Sequence, residues 1–470
     1  MENLINKLTQ KPSETVNLSE KGRFEIYNLS ENPFPRNPFV NKTSTEDKLN
    51  GNIFEIAIRE KEFTKIKNYF LNVPQSNPDH FRLGFINDTS YIGRGNGKSA
   101  FLINLLKKIN ENYCLDLSES KNKCFGVFAA PEGGGNIKTF DKFVDLIFDS
   151  IIESNIINTS LAIIRLDILI KMGKQALLQN YSEDNLIMNL NSSSWFSDNN
   201  IDLYELNEGI KRNDFFKNLP SDFPIYNKRS LFSELSNQNT FLDYYKKIRK
   251  DNEKNDFIFT HLIELFLVAG FNGAYILVDD FERVVEFQSA TQKKDFSTQI
   301  RTVLFDGIYI NSKIGFYNFL LALHAGVPRL LAEAWSESGM ENRVPLNPQI
   351  ESNNLIAFEK LNEKHAIMLI KKYLEHYRIK KTTKEDELLP FTDKSIKLIG
   401  EFSEYNASKI LTFAHQVIDK ASSEKIELID DKYIRSYKND SKDFVIETTP
   451  KNITTTSTID LKKKAKVKKK

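Results

Sequence analysis

The sequence predicts an α/β protein in which a mostly parallel sheet is flanked by helices and followed by a helical domain. Short apolar runs alternate with helical patterns between residues 53 and 323. A helical block at about 153–255 interrupts this alternation, and from Leu355 onward the pattern is helical only. Such alternation is typical of βαβ units, whose helices cover a parallel sheet. The length of 470 residues fits two or three domains, using about 150 residues per domain.

The composition is that of a folded protein. Hydrophobic residues make up 40% of the chain and aromatic residues 11%, which excludes wholesale disorder. No stretch reaches the ~18–20 uncharged apolar residues of a membrane helix, and the polar N-terminus lacks the apolar core of a secretion signal. Two cysteines, Cys114 and Cys124, are too few for a disulfide framework, and the six histidines lack zinc spacing. We therefore expect a cytoplasmic protein with no membrane partner and with both cysteines buried.

Positive charge is concentrated at the C-terminus. The segment LKKKAKVKKK contains seven lysines, and removing them changes the formal net charge from +2 to −5. Such a run can bind double-stranded DNA or another polyanion by releasing counterions, or it can act only as a solvated end that aids solubility. Residues 441–459 are rich in Thr, Ser, Asn and Lys. We therefore predict a flexible basic tail over residues 437–470.

The N-terminal part of the chain contains an arm and the first elements of the sheet. Residues 1–52 are polar, and Asn32-Pro33-Phe34-Pro35 favours extended backbone, so we predict an ordered arm there. Apolar residues at helical intervals predict an amphipathic helix within 53–70. The next predicted elements are a strand at 81–86 or 89–92, a helix at 100–109 and a strand at 123–130.

The following residues complete the predicted core, 53–350, and add a second domain. Within the helical block, the Asn- and Ser-rich segment Asn189–Asn200 predicts a loop. The elements predicted after the block are a helix at 257–269, a strand at 274–278, a helix at 298–305 and a strand at 317–323. Residues 351–436 predict a helical domain, in which Asn362 caps the first helix.

A glycine-rich run, Gly93-Arg94-Gly95-Asn96-Gly97-Lys98-Ser99, precedes the helix predicted at 100–109. Glycines let successive backbone N–H groups curl around a phosphate, a Lys reaches the β and γ oxygens, and a hydroxyl binds Mg²⁺. The spacing G-x-x-x-x-G-K-[ST] places its first glycine at Ile92, so that glycine is missing or shifted to Gly93. The predicted nucleotide-binding residues are Gly93, Gly95, Asn96, Gly97, Lys98, Ser99 and Ala100.

A second motif is the apolar run Gly273–Val278, which ends in Asp279 and Asp280. Ligands collect at the carboxyl ends of parallel strands. We expect Asp279 to hold Mg²⁺ through water and to pair with the Ser99 hydroxyl, and Asp280 to orient an attacking water. Two alternatives remain open at this point. The acids can simply cap a strand, and the glycine-rich run can be a coincidence in a protein that binds no nucleotide.

Several segments resemble AAA+ ATPases of the initiator-like branch, and in particular the ATP-binding proteins of BREX-type phage-exclusion systems. The segments that carry this resemblance are Asn32–Pro35, Ile58-Arg59-Glu60-Lys61-Glu62, Gly93–Ser99, Ala269–Glu282, Phe358–Leu361 and Leu389–Asp393. The resemblance implies a P-loop NTPase (AAA+-like) fold with a C-terminal helical lid, and ATP and Mg²⁺ as cofactors. It also implies a homo-oligomer that couples ATP to remodelling of DNA or a protein–DNA complex, with partner proteins in antiphage defence.

Three positions depart from the pattern that this resemblance implies. The second acid is usually Glu and here is Asp280, which is one methylene shorter; Glu282 is a possible substitute. The lid usually carries an Arg that contacts the γ-phosphate, and here Lys409 is the cation available. A polar residue usually senses the γ-phosphate after the fourth strand, and His324 occupies that position, although a buried structural histidine fits equally well.

The resemblance further implies that an Arg from a neighbouring subunit completes the site. Its physical role is to oppose the negative charge that develops at the γ-phosphate. Arg343 has the better location, Arg329 is the other candidate, and an ordinary surface role is open for both. Two functions follow from the sequence: an oligomeric ATPase, or a nucleotide-gated scaffold that binds ATP with little or no turnover.

Overall fold

The computed structural model, which describes residues 22–71, 82–88, 95–117, 119, 121–132, 135–212, 235–324, 327–346 and 352–440, contains one five-stranded sheet. Its strands are β1 (Leu83–Asp88), β2 (Cys124–Ala129), β3 (Gly273–Val278), β4 (Tyr317–Leu323) and β5 (Leu355–Phe358). They lie in the order β2-β3-β4-β1-β5, and each neighbouring pair runs parallel. The predicted α/β class with a parallel sheet is therefore confirmed.

The first four strands lie where the sequence predicts them, and the fifth is a correction. Of the two alternatives for β1, the strand follows the first. The prediction that the chain is helical only from Leu355 onward is wrong for β5, which pairs with β1 so that Phe85 is aligned with Leu355. A four-residue segment is too short to show a clear period, and its pairing with β1 rather than its own pattern makes it a strand.

Helices cover both faces of the sheet, which explains why its strands are apolar on both sides. On one face Val127, Ile276 and Leu321 join a large core together with the inserted helices. On the other face Leu277 and Leu320 pack against the helix that follows the glycine-rich loop. Every residue of β1, β3 and β4 is buried. The sheet is therefore a rigid base for the loops at its carboxyl edge.

The helices around the sheet include the predicted inserted block. They are α1 (Glu60–Ile66), α2 (Lys98–Glu111), α3 (Phe140–Glu153), α4 (Ile156–Lys171), α5 (Glu183–Asn189), α6 (Ser193–Asp198), α7 (Leu203–Lys211), α8 (Gln238–Lys247), α9 (Asp251–Asp256), α10 (Leu262–Val268), α11 (Glu282–Val285), α12 (Ala290–Leu304) and α13 (Val327–Glu337). The loop predicted over Asn189–Asn200 is wrong at α6. Its polar sequence disfavours a helix, but burial of Trp195 and Phe196 in the core stabilises one.

The C-terminal helices form a separate apolar core. They are α14 (Glu363–His376), α15 (Asp393–Phe402), α16 (Ala407–Ser423) and α17 (Asp431–Asp440). Asn362 caps α14 as predicted, and its side-chain oxygen accepts a hydrogen bond from the His365 N–H at 3.0 Å. Because α17 continues to Asp440, the first four residues of the predicted tail are helical. Residues 441–470 lie outside the described residues.

The N-terminal arm packs on these C-terminal helices. Phe34 is fully buried, and its ring centroid lies 6.0 Å from those of Tyr373 and Phe391. The Asn32 amide donates to the His415 carbonyl at 3.1 Å, and the His415 ring nitrogen lies 2.7 Å from the Phe34 carbonyl oxygen. The Asn-Pro-Phe-Pro segment therefore fixes the arm to the helical domain, and we refer to α14–α17 together as the lid.

No single helix of the described ranges is long and apolar enough to cross a membrane. Helices α3 and α4 together reach the required length and apolar content, with a bend of 54° between them. Both contribute buried residues to the main core, including Phe148 and Leu169.

Candidate functional site

The glycine-rich loop connects β1 to α2 at the carboxyl edge of the sheet. Gly95 and Gly97 adopt φ values of 108° and 86°, in the left-handed region that favours glycine. Gly97 is the N-cap of α2 and has no side chain that could accept from the first-turn N–H groups. Those N–H groups are therefore oriented as in helix termini that bind anions. Gly93 lies outside the described residues, and Ala100 lies in the first turn of α2.

Asp279 lies at the same edge of the sheet as Ser99 of the loop. Asp279 follows β3 directly, is buried, and its N–H donates to the Ala129 carbonyl at 2.9 Å. Burial raises the pKa of the Asp279 carboxyl, and the neighbouring Asp280 raises it further, while a hydrogen bond with the Ser99 side chain and the charge of Lys98 oppose the rise. The Ser99 hydroxyl and the Lys98 ammonium are thus close enough to the strand-end carboxyl to act on its pKa.

The Lys98 ammonium forms an ion pair with Asp88, the last residue of β1. The second oxygen of this carboxylate accepts a hydrogen bond from the Asn96 amide at 3.1 Å. The Asp88 side chain is only 2% exposed and that of Lys98 14%. Two side chains that the sequence predicts to contact phosphate therefore hold a carboxylate of the chain itself.

Arg59, a buried residue directly before α1, binds the backbone of the loop. Arg59 donates to the Asn96 carbonyl at 3.0 Å, to the Glu359 carbonyl at 2.9 Å and to the Glu62 carboxylate at 3.0 Å. Its guanidinium carbon lies 4.4 Å from the centroid of the Phe358 ring. Burial lowers the pKa of Arg59, and Glu62 opposes that shift. Arg59 thus joins the loop to the segment that leads from β5 to the lid.

The lid touches the loop at Gly95. The Ser408 N–H, in the first turn of α16, donates to the Gly95 carbonyl at 2.9 Å. The approach is so close that a Cβ on Gly95 would lie 2.5 Å from the Ser408 Cβ. Lys409, the next residue, is bonded to Glu404 at 2.9 Å. The predicted lid cation therefore lies one residue from the loop contact, but its ammonium is held by an acid of the lid.

Asp280 lies beside Asp279, and its carboxylate is engaged by Arg283. The two side chains form an ion pair at 2.6 Å, and Arg283 also donates to the Pro131 carbonyl at 3.1 Å. Pro131 follows β2, which borders β3 on the side away from β1. The Asp280 backbone adopts φ 45°. Glu282, the possible substitute, is buried in the first turn of α11.

His324, the candidate sensor, and Arg343, the candidate for the arginine given to a neighbouring subunit, lie at opposite edges of the sheet. His324 follows β4 directly and is half-buried, one residue beyond Leu323, which is aligned with Asn87 of β1. Arg343 has a side chain that is 55% exposed and lies 3.9 Å from Asp306. Arg82, which directly precedes β1, donates to the carbonyl of the nearby Leu304. Leu304 lies two residues before Asp306, so Arg343 lies near the amino edge of the sheet and away from the loop. The Arg329 side chain lies outside the described part of the chain.

Sequence reasoning missed four residues that contact the loop or its acids: Asp88, Arg283, Ser408 and, as a loop anchor, Arg59. A signal existed for Arg59, because it lies in a segment that carries the family resemblance. Asp88 lies between the two alternatives predicted for the first strand, 81–86 and 89–92, and Arg283 lies three residues after Asp280, but these positions do not reveal their partners. The contact between Ser408 and Gly95 joins residues more than 300 positions apart, and no local pattern indicates it.

Within the described ranges, no group of three or more His, Cys, Asp or Glu side chains converges on a metal-sized site. Ser99 and Asp279 supply hydroxyl and carboxylate oxygens, the ligand type that Mg²⁺ prefers when phosphates complete its coordination. Comparisons with protein-family models, with curated proteins and with solved structures found no match for this chain.

Proposed function

We propose that this protein binds ATP with Mg²⁺ at the loop between β1 and α2 and that it is an AAA+-like ATPase. The observation that carries the proposal is the arrangement at the carboxyl edge of the sheet. The glycine-rich loop, with Gly97 as the N-cap of α2, lies beside the buried Asp279 at the end of β3, and Ser99 and Lys98 are close enough to oppose the rise of its pKa. If the two acids only capped the strand, or if the glycine-rich run were a coincidence, nothing would require Ser99 and Asp279 to lie close together. The strand order, in which β4 separates β1 from β3, agrees with the AAA+ resemblance.

The residues present fit the expected ligands. The backbone around Gly95 and Gly97 and the first turn of α2 would surround the phosphates, and Lys98 would contact their oxygens. Ser99 and Asp279 would hold Mg²⁺, which offsets negative charge on the phosphates when bound. The raised pKa of Asp279 supports this assignment, because a cation beside a buried carboxylate restores the stability of its charged form.

The lid contact supports coupling between nucleotide state and domain arrangement. Ser408 bonds to the Gly95 carbonyl, so a change in loop conformation alters a contact with the lid. Arg343 is exposed and distant from the loop of its own chain, which is consistent with a contribution to a neighbouring subunit in a homo-oligomer. Remodelling of DNA, partner proteins and a role in antiphage defence rest on the family resemblance and the basic tail.

A second candidate function is a nucleotide-gated scaffold with slow turnover. It is favoured by the engagement of Asp280 with Arg283, which directs this carboxylate toward β2 rather than toward the loop. A carboxylate that orients water must lie within about 2.6–3.2 Å of it. If Asp280 stays bonded to Arg283, ATP is bound but the attacking water lacks its partner.

The test of ATP binding is Lys98→Ala. We expect it to abolish binding of a fluorescent ATP analogue, because it removes the cation that the loop offers to the β and γ oxygens. Lys171→Ala is the matched control, since it removes one lysine from an exposed ion pair with Asp167. Unchanged affinity in a folded Lys98→Ala protein would refute the nucleotide site.

Phosphate release, measured with and without double-stranded DNA, separates the two functions. Slow release together with tight binding supports the scaffold. In that case Asp280→Glu should raise kcat, because it restores the missing methylene, and Asp280→Asn should abolish the residual turnover without weakening ATP binding. Turnover of several per second in the unmodified protein, with Asp280→Glu slower, would instead identify an ATPase built around Asp.

A further inference from the structure

We propose that Asp88 is an internal anion that occupies the phosphate-binding side chains of the loop and thereby sets the affinity for nucleotide. This inference rests on the proposed function. It concerns a carboxylate that lies at the end of β1, before the loop begins, and that the glycine-rich motif itself does not include. ATP then binds by displacing Asp88 from Lys98 and Asn96.

The contacts of Asp88 are those expected of a bound phosphate oxygen pair. One carboxylate oxygen pairs with the Lys98 ammonium, and the other accepts from the Asn96 amide at 3.1 Å. Asn96 is 6% exposed and the Asp88 side chain 2%, so water contributes little to the hydration of either group. A buried carboxylate needs such partners, and a buried ammonium needs a counterion.

Charge balance around the loop points to competition. Lys98 is neutralised by Asp88 and Arg59 by Glu62, so these four residues together carry no net charge. A polyphosphate brought to Lys98 approaches the buried Asp88 carboxylate, and like charges within a few ångströms in a poorly hydrated site repel each other strongly. The same carboxylate thus both holds the lysine and repels the ligand.

The exchange does not require the loop backbone to be rebuilt. Arg59 fixes the Asn96 carbonyl, and Ser408 bonds to the Gly95 carbonyl, independently of the Asn96 amide and the Lys98 ammonium. Only the Lys98 ammonium and the Asn96 amide have to exchange Asp88 for phosphate. Removal of the Asp88 charge should therefore leave the loop in place and make its donors available.

The experiment compares the full-length protein with Asp88→Asn and with Asp167→Asn, a control that removes one acid from an exposed lysine pair. Binding of a fluorescent ATP analogue and of inorganic tripolyphosphate is titrated with and without Mg²⁺. We expect Asp88→Asn to bind both probes roughly tenfold more tightly, since one like charge is lost from a buried site. Asp167→Asn should match the unmodified protein, and Lys98→Ala should remove the gain when combined with Asp88→Asn.

The outcomes separate this inference from the proposed function. Equal or weaker binding by Asp88→Asn, in a chain whose unmodified form binds ATP, overturns the competition and indicates that Asp88 instead positions Lys98. If the unmodified protein and Asp88→Asn both fail to bind either probe, the nucleotide site itself is wrong. Asp88→Ser, also neutral and smaller, gives the same comparison if Asp88→Asn does not fold.

Discussion

The contact between Gly95 and Ser408 is the point at which the loop and the lid meet, and substitution of the glycine tests its importance. In Gly95→Ala the new Cβ lies 2.5 Å from the Ser408 Cβ and 3.0 Å from Asn406 Oδ1. The residue also keeps φ near 108°. We expect ~1–2 kcal/mol of backbone strain and a further ~1–3 kcal/mol from overpacking. The lid can avoid the second cost only by moving away from the loop.

Gly97→Ala is the control that separates these two costs. Its φ of 86° imposes similar backbone strain, but no atom lies within 4 Å of the added Cβ. The difference between the two alanine variants is therefore the overpacking alone. Ser408→Gly removes the closest clashing atom and leaves only the contact with Asn406 Oδ1, so it should recover most of this difference when combined with Gly95→Ala. Its own cost in helix propensity cancels in the double-mutant cycle.

Hydrogen exchange at the Ser408 amide is the most direct assay, because this N–H donates to the Gly95 carbonyl at 2.9 Å. A loss of ~1–3 kcal/mol corresponds to about 5- to 150-fold faster exchange. We expect this acceleration in Gly95→Ala, much less in Gly97→Ala, and recovery in the double variant. Equal acceleration of exchange in both alanine variants, or no slowing of exchange when Ser408→Gly is added to Gly95→Ala, would show that Gly95 and Ser408 are not closely packed.

Three further predictions concern the strand-end acid, the loop anchor and the tail. Because the pKa of Asp279 is raised in the folded protein, its protonated carboxyl contributes to the free energy of unfolding. This contribution is fully present below the ordinary pKa of Asp and is lost as the pH rises through the raised value. Asp279→Asn should therefore raise the melting temperature at pH 7 without Mg²⁺ and make the melting temperature depend less on pH between the ordinary and the raised pKa. It should also abolish the Mg²⁺ dependence of ATP binding. Melting temperatures by calorimetry that equal those of the unmodified protein would contradict this prediction. Arg59→Lys should lower the free energy of unfolding in urea by about 2–4 kcal/mol, because an ammonium lacks the planar fork that reaches both carbonyls and Glu62, and an unaltered midpoint would refute the anchor. Deletion of Lys462–Lys470 should leave ATP binding intact but lower the slope of log affinity for DNA against log salt by as much as about 6 between about 50 and 200 mM salt; the same affinity and slope would leave the tail as a solubility feature.

The elements that could be predicted from the sequence are those whose identity depends on neighbouring residues. The strands at Gly273–Val278 and Tyr317–Leu323 are buried on both faces, so their continuous apolar runs mark them wherever they lie in the sheet. The loop at Gly95–Ser99 and the acid at Asp279 were predicted because their spacing and their position after a strand are local properties. Their location at one edge follows from the parallel sheet, which brings the carboxyl ends of its strands together.

The partners that these residues take depend on how the chain folds. Strand β5 is defined by its pairing with β1, across more than 260 residues of chain, and α6 by the burial of Trp195 rather than by its polar sequence. In the same way the strand order brings β2 beside β3, where Arg283 can bond to Pro131 while it holds Asp280. Propensity and spacing act over a few residues, whereas the partner of a buried charge is set by the elements that packing brings against it. For that reason a strand-end aspartate such as Asp88 looks ordinary in the sequence and becomes the counterion of Lys98 only in the folded chain.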